Sequence, residues 1–100
     1  MRPLGIPVTL DRPRTLPLNE QALHICRHTF CVALEPAAFL QAELTLELTR
    51  DLIWSGCVIE GGRLTWEMVC RMVTLDNFTT FHDPIAKALL RGIGSAYQPN

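Results

Sequence analysis

The sequence predicts an α+β, mainly α fold: an N-terminal β-hairpin followed by four or five short helices in a single compact domain, residues 1–100. Three observations predict it. Apolar residues alternate near the N-terminus and switch to helical spacing from about residue 20. Proline and glycine cut the chain into short segments. One hundred residues is the length of one domain, and a second core would be too small to stand alone.

The stretch "IPVTLD" places Ile6, Val8 and Leu10 on one side, as in a half-buried strand. "RPRT" reads as a turn with Pro13 at its second position. "TLPLN" then sets Leu16 and Leu18 on one face, giving a hairpin over 6–18. Pro7 and Pro17 lack a ladder donor, so their nitrogens should face away from the strand pair. A lone hairpin is marginal in water and should lie against the helical part, 19–92.

Asn19 is a suitable N-cap for a helix to about residue 33, whose core stripe is Ala22, Leu23, Cys26, Phe30 and Ala33. Pro36 suits the first position of a further helix. Leucines continue through "LTLELTRDLIWSG", read as a helix over about 45–55 with Gly56 as its stop. Whether 36–43 and 45–55 form one helix or two is left open by the pattern. "EGGR" is a turn.

"LTWEMVCRMV" starts at Thr65 as N-cap, with Leu64 and Val69 spaced for a hydrophobic staple. Glu67 and Arg71 form its one favourable polar pair at i,i+4. Its apolar side chains span an arc of about 200° at helical spacing, where one packing face needs only ~100° or somewhat more. This helix is therefore either central or exposes apolar surface to a partner. A further helix start falls near Asn77, carrying Phe78 and Phe81. Asp83-Pro84 reads as a cap followed by a first helical residue, so the last helix restarts or kinks there. It should bury Ile85, Ala86, Leu89 and Leu90 and end at Gly92, leaving 93–100 as a loose tail.

Composition narrows the function. Apolar residues make up 48% of the chain, and its 6 glycines carry that share past the roughly 45–50% usual for globular domains. Surplus apolar surface on so small a domain invites a second copy or another protein to cover it. Net charge is −1, and the nine cations are scattered with no basic stripe, so nucleic acid is not an expected partner. No apolar run approaches the ~18 residues of a membrane span, and "MRPLGIPVTLDRPR" has no signal-like apolar region. Without export the compartment is a reducing cytoplasm, where Cys26, Cys31, Cys57 and Cys70 stay thiols.

"HICRHTFC" places His24, His28 and Cys31 within an arc of about 60° on one helix face, while Cys26 points to the core. With a fourth ligand such as His82 they could hold zinc. The spacing matches no closed zinc pattern, however, and a solvated face that happens to carry these residues is the plainer reading. Neither a metal nor a cofactor is expected. No G-x-S-x-G, P-loop, G-x-G-x-x-G or H-E-x-x-H is present, and the carboxylates look dispersed, so no catalytic residue is expected either. Trp54 reads as a core residue. Trp66, Met68, Met72, Phe78 and Phe81 are the candidates for a partner-binding surface, since aromatic residues anchor interfaces and methionines adapt to varied partners.

Two stretches carry a family resemblance. "VTLDRPRTLPLNEQALHICRHT" and "RDLIWSGCVIEGGRLTWEMVCRMVTLDNFTTFHDPIAKAL" together resemble the small tail assembly chaperones of long-tailed, siphovirus-type bacteriophages. The first is similar to that family's opening hairpin and first helix. The second is similar to its ending, where a helix reading roughly L-[LI]-W-x-G leads through a turn to L-T, a helix, an "LDN"-like break and a final helix. The chain departs from the pattern at Pro84, where the family's last helix runs on, and "CVALEPAAFLQAEL" has no counterpart. The resemblance implies a non-enzymatic virion assembly factor in the cytoplasm of the bacterial host. It would bind the tape-measure protein and help recruit the tail-tube protein, as the short form of a frameshifted pair. Homo-oligomers are compatible with it. The rival from another class is a small phage or bacterial regulatory protein that inhibits a host protein by binding its surface. A third is a metal-dependent regulator using His24, His28 and Cys31.

Overall fold

A computed structural model describes residues 6–10, 13–34, 36–61 and 63–94. Two four-residue strands, β1 (Ile6–Thr9) and β2 (Pro13–Leu16), pair antiparallel with Ile6 opposite Leu16 and Thr9 opposite Pro13. Pro13, expected in the turn, thus already belongs to β2. The Thr15 N–H donates to Glu60 Oε2 at 2.9 Å, away from Pro7 across the pair. That bond ties β2 to the end of the longest helix. Leu16 and Leu18 are fully buried.

The first helix, α1 (Glu20–Phe30), starts where Asn19 Oδ1 accepts from the Ala22 N–H at 2.9 Å. It stops at Phe30, not at residue 33. Cys31 takes the left-handed conformation (φ 54°), and the Val32 N–H turns back to the Arg27 carbonyl. The core stripe is accordingly shorter than expected: Ala22, Leu23 and Cys26 are buried, Phe30 is half-buried, and Ala33 lies exposed beyond the helix.

Residues 36–55 divide between two elements. Pro36–Gln41 is a 3₁₀ helix that inserts Phe39 into the core. The second helix, α2 (Leu46–Glu60), comes next with Thr45 as its N-cap. It runs through Gly56, the expected stop, to Gly61 (φ 89°), whose N–H donates to the Cys57 and Val58 carbonyls. Gly56 is present for a different reason. A Cβ there would run into Leu16 and lie 3.2 Å from the Pro17 carbonyl oxygen, so the glycine lets the N-terminal strand segment pack directly on α2.

This helix is the spine of the domain. Leu52, Ile53 and Cys57 are buried, as are Thr49 and Ser55, whose hydroxyls donate to the Thr45 and Asp51 carbonyls one turn back at 2.7 Å. The third helix, α3 (Trp66–Met72), is capped by Thr65 as the sequence predicts, but it is only seven residues long and Val69 is its one buried residue. Arg50 of α2 closes its far end, donating through Nε to the Val73 carbonyl at 2.7 Å and through a terminal nitrogen to the Cys70 carbonyl at 3.0 Å.

Asn77 does not cap the next helical turn. Its Oδ1 accepts from the Thr74 N–H and its Nδ2 donates to the Met72 carbonyl, each at 2.8 Å, so it ties off α3 instead. A 3₁₀ turn, Phe78–Phe81, runs directly into α4 (His82–Leu89). Asp83 does not cap α4 either; it sits in the first turn and pairs with Lys87 at 2.9 Å. Pro84 fits that same turn, where its missing N–H costs nothing.

The buried face of α4 is Ile85, Ala88 and Leu89, continued by Ile93. Ala86 and Leu90, expected inside, face out, with Leu90 50% exposed. The face is rotated because the chain does not end at Gly92: a π-helical turn, Leu90–Gly94, carries Ile93 back into the core. At Gly92 a Cβ would collide with the Leu18 carbonyl. The expected tail therefore begins later than 93, and residues 95–100 lie outside the described residues.

Candidate interaction surface

Three segments meet around a wide concavity of about 450 Å³: the end of α1 with the irregular stretch after it, the loop at 42–45, and the first turns of α2. Phe30, Val32, Leu34 and Leu48 give it apolar walls that pack on the core. Glu43, Glu47 and Asp51 also line it, and among the described residues no lysine or arginine does. The carboxylates that look dispersed along the sequence are thus gathered here. Thr45 caps α2 so that Glu47 falls in its first turn and Asp51 one turn further on, on the same face.

Asp51 is the unusual member. It is 9% exposed, and its carboxylate accepts no hydrogen bond from any described residue. Burial, and secondly the Glu47 charge, push its pKa up to about 6. On its other side lies Cys26 of α1, where burial followed by the Asp51 charge pushes the thiol up to about 11, opposed by a hydrogen bond with Ser55. Cys26 is accordingly a thiol of the core and not a nucleophile.

The residues expected to bind a partner lie on α3 and the turn after it, and Trp66 among them reaches this concavity through Phe30. Trp66 is half-buried and meets the Phe30 ring at 4.7 Å between centroids; Phe30 in turn meets Trp54 edge-on at 5.6 Å. Phe30 therefore joins the concavity to α3. Met68, Met72 and Phe78 are half-buried, each with one side packed on the core. Phe81 is buried in the core and presents no surface. Leu75, which the sequence did not single out, is 74% exposed in the turn between Met72 and Phe78. Trp54, expected in the core, is only half-buried. A second, smaller apolar cavity of about 120 Å³ lies between Phe39, Leu44 and Leu90.

His24 and His28 are exposed one turn apart on α1, their rings 4.1 Å between centroids. Cys31, the third member of that set, lies past the helix end in the left-handed cap and lines the concavity. Among the described residues no three His, Cys, Asp or Glu side chains are placed to hold a metal ion. His82 packs against the Phe78 ring at 5.3 Å, and its Nε2 is buried without a hydrogen-bond partner among the described residues.

Sequence reasoning missed Asp51, Glu47 and Glu43. A signal for them was present: residues 43, 47 and 51 form an acidic row at four-residue spacing, and the one cation near that row by count, Arg50, is spent on the Val73 and Cys70 carbonyls. No helix among the described residues is long and apolar enough to cross a membrane. No family model, no curated protein and no solved structure matches the chain.

Proposed function

We propose that this protein is a non-enzymatic tail assembly chaperone of a long-tailed bacteriophage, acting in the cytoplasm of the bacterial host. On this reading it covers apolar stretches of the tape-measure protein and hands that chain to tail-tube subunits. The reading takes β1 and β2 as the family's opening hairpin and α1 to α4 as its helices. The observation that carries it is the unspent apolar surface on and after α3. Leu75 is 74% exposed, and Trp66, Met68, Met72 and Phe78 are each left half-covered. A helical client that must be kept from aggregating is recognised by such a surface, through its own apolar face. The two methionines suit a client that presents many slightly different segments in turn.

Co-expression with a full-length tape-measure protein tests the reading. The two should co-purify, and Leu75→Ser should abolish co-purification while shifting stability by no more than about 0.5 kcal/mol, as for other exposed sites. A soluble, full-length tape-measure protein that emerges without this chain refutes it.

A further inference from the structure

We propose that the concavity between α1 and α2 is a socket for a lysine or arginine side chain carried on an apolar segment of another protein. Asp51 forms its floor, with Glu43 and Glu47 at its rim. The socket is a property of this concavity alone, whichever protein supplies the segment.

Only 9% of Asp51 is exposed, and that part faces the concavity. A carboxylate so far withdrawn from water is ordinarily paired or hydrogen-bonded, because a poorly hydrated charge is costly for a fold to carry. Asp51 has neither form of relief among the described residues. Its cationic neighbour in the chain, Arg50, is turned away and spends its donors on the Val73 and Cys70 carbonyls. Lys87 is taken by Asp83 on α4. Meanwhile Glu47 stands one turn from Asp51, so the local field is made more negative and not less. Among the described residues no compensating charge reaches the site, and the concavity provides an opening through which one can arrive.

The walls define what carries that charge. Phe30, Val32, Leu34 and Leu48 offer apolar surface to the methylene stem of a lysine or arginine and to the apolar side chains beside it. A volume of about 450 Å³, open to solvent on one side, lies within the roughly 300–1,000 Å³ of clefts that hold ligands. A bare metal ion would leave the apolar walls unused, and it would find too few ligands, since no three candidate ligand side chains converge among the described residues. An anionic or purely apolar segment would leave Asp51 uncompensated.

The test uses the full chain and three synthetic amphipathic helices sharing one leucine pattern, with polar positions all lysine, all glutamine or all glutamate. Affinity is read by fluorescence anisotropy at physiological salt. The lysine helix should bind most tightly and the glutamate helix least. Asp51→Asn should weaken the lysine helix roughly ten- to a hundredfold, the range for a hydrogen bond to a charged partner, and leave the glutamine helix nearly unaffected. Asp76→Asn, an exposed acid in the turn after α3, serves as the control and should change nothing. Thermal melts of the Asp51→Asn protein separate lost binding from lost folding. The inference is overturned if no helix binds or if the glutamine helix matches the lysine helix. It is equally overturned if Asp76→Asn weakens binding as much as Asp51→Asn does. Co-purification of a tape-measure protein that survives Asp51→Asn would sink this inference and leave the chaperone reading standing.

Discussion

Asp51→Asn keeps the shape of the side chain and removes its charge, so it isolates what that charge does to the fold. In the native protein the Asp51 pKa is raised from the ordinary 3.8 to about 6, first by burial and then by Glu47. An acid whose pKa rises on folding favours the native state while it is protonated, below about pH 4. That advantage is lost as the pH climbs through about 6, because the native state must then hold a charge it solvates poorly. At ~1.4 kcal/mol per pKa unit, the complete effect is about 3 kcal/mol. Between pH 4 and pH 7.5 it is about 2.5 kcal/mol, since a free carboxyl is already partly ionised at pH 4. Urea denaturation of the parent and the Asn variant at both pH values measures it. All other titrating groups are common to the two proteins and cancel, as does the pH-independent penalty of seating an amide there. The variant should therefore gain about 2.5 kcal/mol on the parent between pH 4 and pH 7.5, or roughly 10–20 °C in Tm for a domain of this size. Parallel pH profiles for the two proteins would refute the reasoning. They would mean that Asp51 is solvated or paired in solution, and the socket would lose its floor.

The packing sets three further outcomes. Arg50→Ala removes both side-chain donors from the end of α3 and should cost about 3 kcal/mol, with amide hydrogen exchange quickening over residues 66–73 before the rest of the domain. Gly92→Ala places a methyl group against the backbone of Leu18 and Asn19, which cannot move aside as a side chain can; equilibrium denaturation should show a loss of about 2 kcal/mol or more, against the slight gain alanine gives in an unobstructed helix. Cys31 is exposed, Cys70 half-buried, and Cys26 and Cys57 buried, so an aromatic disulfide reagent should label Cys31 fastest and Cys70 more slowly in the native protein, and Cys31→Ser should remove the fastest phase.

The parts of the fold legible in the sequence are those fixed by local chemistry. Asn19 and Thr65 each cap the helix after them, because a side-chain oxygen at that position answers N–H groups only two or three residues away. Leu16, Leu18, Leu23 and Ile85 are buried as their spacing indicates. The features the sequence obscured depend on contacts distant along the chain. Gly56 has the form of a helix stop, and only the arrival of Leu16 from forty residues away makes it a packing glycine. Asn77 and Asp83 have the form of caps, yet the first is drawn back to close α3 and the second faces Lys87 in solvent. Leu90 and Ala86 fall on the apolar side of α4 by count, but the π turn that returns Ile93 to the core decides which side is inside.

Asp51 belongs to a different kind of miss. The spacing of Glu43, Glu47 and Asp51 was visible; what the sequence could not supply was that burial at this one position restricts the water that normally makes such a row harmless. On a solvated helix face three acids a turn apart cost a few tenths of a kcal/mol each, and the pattern carries no message. With Asp51 only 9% exposed at the bottom of the concavity, the same pattern becomes an uncompensated charge next to an apolar wall. Local rules that a fold breaks without internal compensation tend to mark the places where something from outside completes the structure. Here the missing element has a definite sign and a definite neighbour: a positive charge set in apolar side chains, presented to Asp51 beside Phe30.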